Sequence, residues 1–251
     1  MSNFTFLKGA SHPDELVFQA AKLGLEAVSV TDVNTLAGVV RAHSAAKETG
    51  FRFITGARLK FSDETPDMLC WPSDRAAYGR LCKLLTRGKR RAPKGACEIT
   101  RADALELGEG QLFACLPDDP FAPDIAEALD DFRGAFPGSV WLAGARAFRG
   151  DDRRVLNQLA LTARDARVPL LAVNDILYHA PERRRLADIV HCIREHVTIS
   201  AAGRALEAHA ERHLKPPTEM LRLFRDHPGA IEETLHVAER AQFSLDELRY
   251  E

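Results

Sequence analysis

Short, nearly continuous apolar runs alternate along the chain with segments whose apolar residues recur every three or four positions. The first kind reads as buried strand: residues 27–31, 53–55 followed by 59–61, 68–71, 112–116, 140–143 and 170–173. The second kind reads as amphipathic helix, predicted over 13–23, 36–47, 74–85, 124–132, 152–166 and 181–195. In the first helix Leu16, Val17, Ala20 and Leu23 share one face, behind His12-Pro13-Asp14 at its start. Apolar strands alternating with helices imply a parallel sheet covered by helices. Roughly six or seven such units in the first 200 or so residues suit a closed or distorted β/α barrel, with a doubly wound open sheet as the alternative.

From about residue 201 the strand pattern stops. Short helices are predicted over 209–214, 217–225 and 229–240, so the chain divides into a barrel over 1–200 and a small helical appendage over 201–251. The ending at Arg249-Tyr250-Glu251 has the character of a cut within a longer protein.

Composition narrows the picture. The 251 residues are 45% hydrophobic, and 34 lysines and arginines face 36 acidic residues, a net charge of −2. That balance excludes a protein that grips nucleic acid by bulk charge alone, but it permits a local basic patch. One exists in the breaker-rich stretch 87–94, read as a loop, where Arg87, Lys89, Arg90, Arg91 and Lys94 are candidates for contact with a DNA backbone. No apolar run approaches the roughly 18 residues of a membrane span. Five widely spaced cysteines without a CxxC pair read as reduced thiols, which places the protein in the cytoplasm.

Catalytic groups of a parallel barrel gather where strands end. Asp32 and Asp175 stand at such ends, each a plausible metal ligand or general base, or simply a cap for the following loop. Of nine histidines only His179 closely follows a strand end. His209 and His213 are four apart on a predicted helix, but Ala210-Glu211-Arg212 between them does not give the His-Glu-x-x-His pattern, and the pair reads as solvated. Cys115 ends a strand and is a ligand, a nucleophile or core filler. P-loop, Gly-x-Gly-x-x-Gly and Gly-x-Ser-x-Gly strings are missing.

Several strings together carry a resemblance. They are Ser2-Asn3-Phe4-Thr5-Phe6-Leu7-Lys8-Gly9-Ala10-Ser11-His12-Pro13, Thr31-Asp32-Val33-Asn34-Thr35-Leu36-Ala37-Gly38-Val39-Val40, the Gly88-Lys89-Arg90-Arg91 stretch, Asn174-Asp175-Ile176-Leu177-Tyr178 and Asp188-Ile189-Val190-His191-Cys192. In this order the chain resembles the PHP (polymerase and histidinol phosphatase) domain of bacterial C-family DNA polymerases. These are relatives of the DNA polymerase III alpha subunit, and the likeness is strongest to the error-prone branch.

The resemblance implies a distorted seven-stranded β/α barrel within a polymerase that performs DNA-directed synthesis in translesion replication and DNA repair. The polymerase active site and its magnesium would lie in other domains. DNA, those domains and translesion accessory proteins would be the partners, with no membrane involved.

Active PHP domains hold a metal cluster, and the chain departs from that pattern. The place of a first-motif histidine falls at about Met1, Val33 stands for the second-motif histidine, and Leu177 stands for the late one. Arg58 follows Gly56-Ala57 where a glutamate often occurs. Asp32, Cys115 and Asp175 remain as vestiges, too few and too anionic for a trinuclear centre, and Arg58 is placed to pair with the leftover carboxylates. The expected function is therefore a structural and interaction module with no catalytic residue, no metal and no cofactor of its own. The alternative is a metal-dependent phosphoesterase or 3′-5′ proofreading exonuclease of the PHP superfamily.

Overall fold

The apolar runs become the strands of one sheet. The computed structural model describes residues 1–248. Among them β1 (Val28–Val33), β2 (Phe53–Leu59), β3 (Met68–Pro72), β4 (Gln111–Cys115), β5 (Val140–Gly144) and β6 (Leu170–Ala172) lie side by side in chain order. This gives six strands where seven were expected. The pairs β1–β2, β4–β5 and β5–β6 are parallel, but β3 runs antiparallel to both neighbours. The wholly parallel expectation therefore fails at β3. The segment between Leu59 and Met68 is too short to carry a helical crossover, so the chain can only turn back.

The sheet's two faces bury different layers because side chains alternate along each strand. Ala57, Leu59, Met68, Cys70, Phe113, Cys115 and Leu142 face outward, where α3 (Arg75–Arg91), α4 (Arg101–Leu107), α5 (Asp124–Ala135) and α6 (Asp152–Asp165) cover them. At the β1 edge, α1 (Pro13–Lys22) and α2 (Val39–Thr49) cover Val28 and Val30. The other face carries Ile54, Leu69, Trp71, Leu112, Ala114 and Trp141. Gly56 lies on this face because the Trp71 indole crosses it. A Cβ there would come within 2.6 Å of Trp71 Cδ1, whose ring N–H donates to Ser29 Oγ at 3.0 Å.

Beyond β6 come α7 (Arg184–Glu195), α8 (Ile199–Ala202), α9 (Pro217–Leu223) and α10 (Gly229–Arg240). The segment expected as a helical appendage packs against the sheet through α10. Val237 and Ala241 join the inner cluster, Glu233 accepts the Trp141 indole N–H at 2.6 Å, and the Phe243 ring stacks on Tyr78 with centroids 4.3 Å apart. Between the β1 and β6 edges runs an apolar cavity of about 410 Å³, lined by Val28, Thr31, Leu171, Val173 and side chains of α9 and α10.

Two local expectations are corrected. The 87–94 stretch is not all loop, since α3 continues through Arg91 despite Gly88. A Cβ at Gly88 would come within 2.6 Å of Ile99 and 2.7 Å of Cys97 Sγ, so this glycine admits a crossing chain and does not end the helix. The 209–214 stretch is irregular instead of helical, tied to Tyr178 through a bridge at His213. Arg249, Tyr250 and Glu251, read as the cut end, lie outside the described residues.

Candidate functional site

The β2–β3 connection and the loops after β4 and β6 meet around Arg58. Its position on β2 has the same parity as Ile54, so its side chain enters the concave side, where it is 9% exposed. Three carboxylates surround the guanidinium: Asp67 at 2.7 Å, Asp175 at 3.3 Å and Asp118 at 3.5 Å. These carboxylates hold the Arg58 pKa above its ordinary value against the opposing effect of burial. Asp175 adopts a left-handed backbone with φ 39° and receives a second cation. Arg212 donates to its Oδ2 at 2.7 Å and to its carbonyl at 2.7 Å. The expected pairing of Arg58 with a leftover carboxylate thus involves Asp175.

Asp32 is engaged elsewhere. It belongs to the outward parity of β1 and is 2% exposed. Its Oδ1 accepts from the Ser2 backbone N–H at 2.6 Å and from Thr5 Oγ1 at 2.7 Å, and its Oδ2 accepts from Ser2 Oγ at 2.7 Å. These bonds fasten the first loop to the sheet, which is the capping role rather than the ligand role. Cys115 is fully buried on the helix-covered face, and desolvation pushes its thiol well above the ordinary range. The vestigial trio is therefore not brought together.

His179 binds Ser11, its Nδ1 lying 2.7 Å from the Ser11 hydroxyl, and burial lowers its pKa. His209 and His213 do not share a helix face. His209 Nε2 lies 3.0 Å from the Phe148 carbonyl, and His213 Nδ1 lies 2.8 Å from the Leu214 carbonyl. Among the described residues no three of His, Cys, Asp and Glu converge as a metal site. The donor set does not fit the metal cluster of active PHP domains. Val33 and Leu177 offer no nitrogen, and a guanidinium occupies the space among the carboxylates.

The basic candidates split into two groups. Arg91 makes a two-pronged contact with Asp103 at 2.6 and 3.0 Å, and Arg87 reaches Asp103 at 3.1 Å and Glu106 at 2.6 Å. Both are spent on joining α3 to α4. Lys89, Arg90 and Lys94 are exposed and carry no ion pair among the described residues.

Sequence reasoning missed Asp67 and Arg212. Nothing in their spacing marks them, because they meet Arg58 and Asp175 only through tertiary packing.

Residues 1–124 match the family model of the PHP domain. Over 99% of its length the chain is 52% identical to an error-prone DNA polymerase of Brucella abortus biovar 1 (strain 9-941). It is also 50% identical to the error-prone DNA polymerase of Bradyrhizobium sp. (strain ORS 278), and 47% identical to that of Caulobacter vibrioides. The chain spans about a quarter of the length of these curated relatives. Two solved structures share the fold. One, described as a metal-dependent phosphoesterase from Bifidobacterium adolescentis, gives a TM-score of 0.50 at 17% identity, covering 67% of this chain and 83% of that one. The other, an amidohydrolase from Chromobacterium violaceum with bound sulfate and no metal, gives 0.51 at 16% identity, covering 68% and 84%.

Proposed function

We propose that this chain is the PHP module of an error-prone DNA polymerase and serves as a structural and interaction module. In it an arginine–carboxylate network stands where active PHP domains hold metal. The observation that carries the reading is Arg58, buried among Asp67, Asp118 and Asp175. A fixed positive charge there neutralises the carboxylates that would otherwise need a cation, and it repels an incoming one. DNA synthesis, translesion bypass, repair and the magnesium they use belong to the remaining three quarters of such polymerases. Those domains, DNA and translesion accessory proteins are its partners. Five unpaired cysteines suit a cytoplasmic setting. A seventh strand completing the barrel would lie in the seam between β1 and β6, where the apolar cavity runs.

The test is elemental analysis of the purified protein, together with assays on a phosphomonoester and on a 3′-mispaired primer. Metal below one ion per chain and no hydrolysis are expected. Two or more bound zinc, manganese or iron ions, or hydrolysis lost in Asp175→Ala, would establish the phosphoesterase or exonuclease reading instead.

A further inference from the structure

Helix α7 turns an apolar stripe toward solvent. Its inner side is fixed: Ala187 and Cys192 are buried, and Arg184 and Arg194 donate to the Glu207 carbonyl at 2.6 Å and the Leu7 carbonyl at 3.1 Å. At about 100° per residue the opposite side carries Leu186, Ile189 and Ile193. Their i, i+3, i+7 spacing is that of a helix face packed against a partner. Yet these three are 39%, 44% and 55% exposed, and Val197 and Ile199 just past the helix are exposed as well. Single exposed apolar residues are ordinary on a free surface, but a contiguous row of them marks an interaction site.

Charge points to what covers the stripe. Arg183, Arg184 and Arg185 crowd the amino end of α7, and its first turn holds no acidic residue. That is the unfavourable end for cations, since the helix dipole is positive there. Arg183 is held by Glu15, and Arg184 lies 3.7 Å from Asp188. Arg185 is exposed and has no ion pair among the described residues. A carboxylate brought against this flank from outside meets both the guanidinium and the dipole. A second copy of the chain does not supply it. Two-fold pairing of antiparallel helices sets each flank against itself, and within α7 the flank that carries Arg185 beside Ile189 holds no carboxylate. The curated relatives supply another source of cover, because this chain spans only about a quarter of their length. A surface elsewhere in the same chain is present at high effective concentration.

We propose that the outer face of α7, formed by Leu186, Ile189 and Ile193 with Arg185 at its flank, is where the rest of the polymerase chain docks, through an apolar helix face that sets a carboxylate against Arg185. The proposal rests on reading the chain as one module of an error-prone DNA polymerase. It adds to that reading the face through which the module is held.

Hydroxyl-radical footprinting, which reads side-chain exposure directly, tests this on the 251-residue protein and on the full-length polymerase. Leu186, Ile189 and Ile193 are expected to be oxidised at least fivefold more slowly in the full-length protein, because the core of an interface excludes water. In that protein Ile193→Glu should restore oxidation of Leu186 and Ile189, and Arg185→Glu should do so in part. The melting temperature of the 251-residue protein should be unchanged by Ile193→Glu, because Ile193 is exposed in it. Equal oxidation in the two proteins overturns the docking face. So does protection that appears only when an accessory protein is added, or dimerisation of the 251-residue protein in sedimentation that Ile193→Glu abolishes. A reading frame that stops at residue 251 overturns the polymerase reading, and the docking with it, before any footprint is taken.

Discussion

Arg58 Nη1 stands 3.3 Å from Asp175 Oδ1, an ion pair that joins strand β2 to the loop beyond β6 across 117 residues of chain. The pair spans the sheet from near one edge to the other, where no strand ladder connects β1 to β6.

Replacing Arg58 by methionine leaves Asp67 and Asp175 half-buried without their shared cation. Removing one partner of a buried pair costs about 3–5 kcal/mol. Arg212 still holds Asp175, so the loss is expected near the lower end, about 3 kcal/mol, in urea denaturation. Arg58→Lys is expected to recover less than half, because an ammonium cannot reach three carboxylates with a planar fork. Stability of Arg58→Met within about 1 kcal/mol of wild type would show the network to be marginal.

Asp103 fastens α3 to α4. It accepts from Arg91 and Arg87 and closes a capping box with Thr100. The Arg91 hydrogen bonds lead in holding its carboxyl far below the usual carboxylate range. A depressed native pKa means that this stabilisation is present above the unfolded value of about 3.9 and fades as pH falls through the native value. Asp103→Asn is therefore expected to lower stability by about 1–3 kcal/mol at pH 7, through loss of charge-assisted bonds. The gap between variant and wild type should stay constant from pH 8 to about 5 and close only below about pH 4. A gap independent of pH down to about 2 would exclude the charge as its source.

The same clamp occupies Arg87 and Arg91 and leaves Lys89, Arg90 and Lys94 without an ion pair among the described residues. In the full-length polymerase, changing Lys89, Arg90 and Lys94 together to alanine is expected to make the slope of log affinity against log salt shallower by about two to three units if each contacts phosphate. Folding should shift by no more than about 0.5 kcal/mol, because all three are exposed. Arg91→Ala should instead lower stability through Asp103. An unchanged slope in the triple variant would reduce this end of α3 to a solvated surface.

Much of the fold was legible because strands buried on both faces must be apolar throughout. Every strand falls within about two residues of its apolar run, except β2, which runs on through Gly56. What escaped was set by tertiary partners. Gly88 reads as a breaker until the 97–99 segment is seen packed against it. The apolar face of α10 reads as a peripheral helix until Trp141 is found beneath it. At the site, Arg58 and Asp175 were visible as an opposite-charge pair. The direction of Asp32 and Cys115 was not, since it depends on the pleat's parity in the final register, and one residue of slip would reverse it.

Asp32 offers the sharpest separation of a structural from a catalytic carboxylate. Its oxygens accept from Ser2 N, Ser2 Oγ and Thr5 Oγ1 within 2.7 Å. Asp32→Ala removes all three acceptors and strands buried donors, at about 1–3 kcal/mol for each group left unsatisfied, although Ser2 and Thr5 can turn to other partners. Asp32→Asn keeps the volume and one carbonyl oxygen, but it aims an amide N–H₂ at a hydroxyl. That hydroxyl can rotate to accept, so the cost should be about half that of alanine. The expected order of stability in chemical denaturation is therefore wild type, then Asn, then Ala, with faster amide exchange confined first to residues 1–10. Metal content should be unchanged across the series. If Asp32→Asn instead matched wild type in stability and abolished a measured hydrolytic activity, the carboxylate would be a catalytic group and the loop-fastening role would fail.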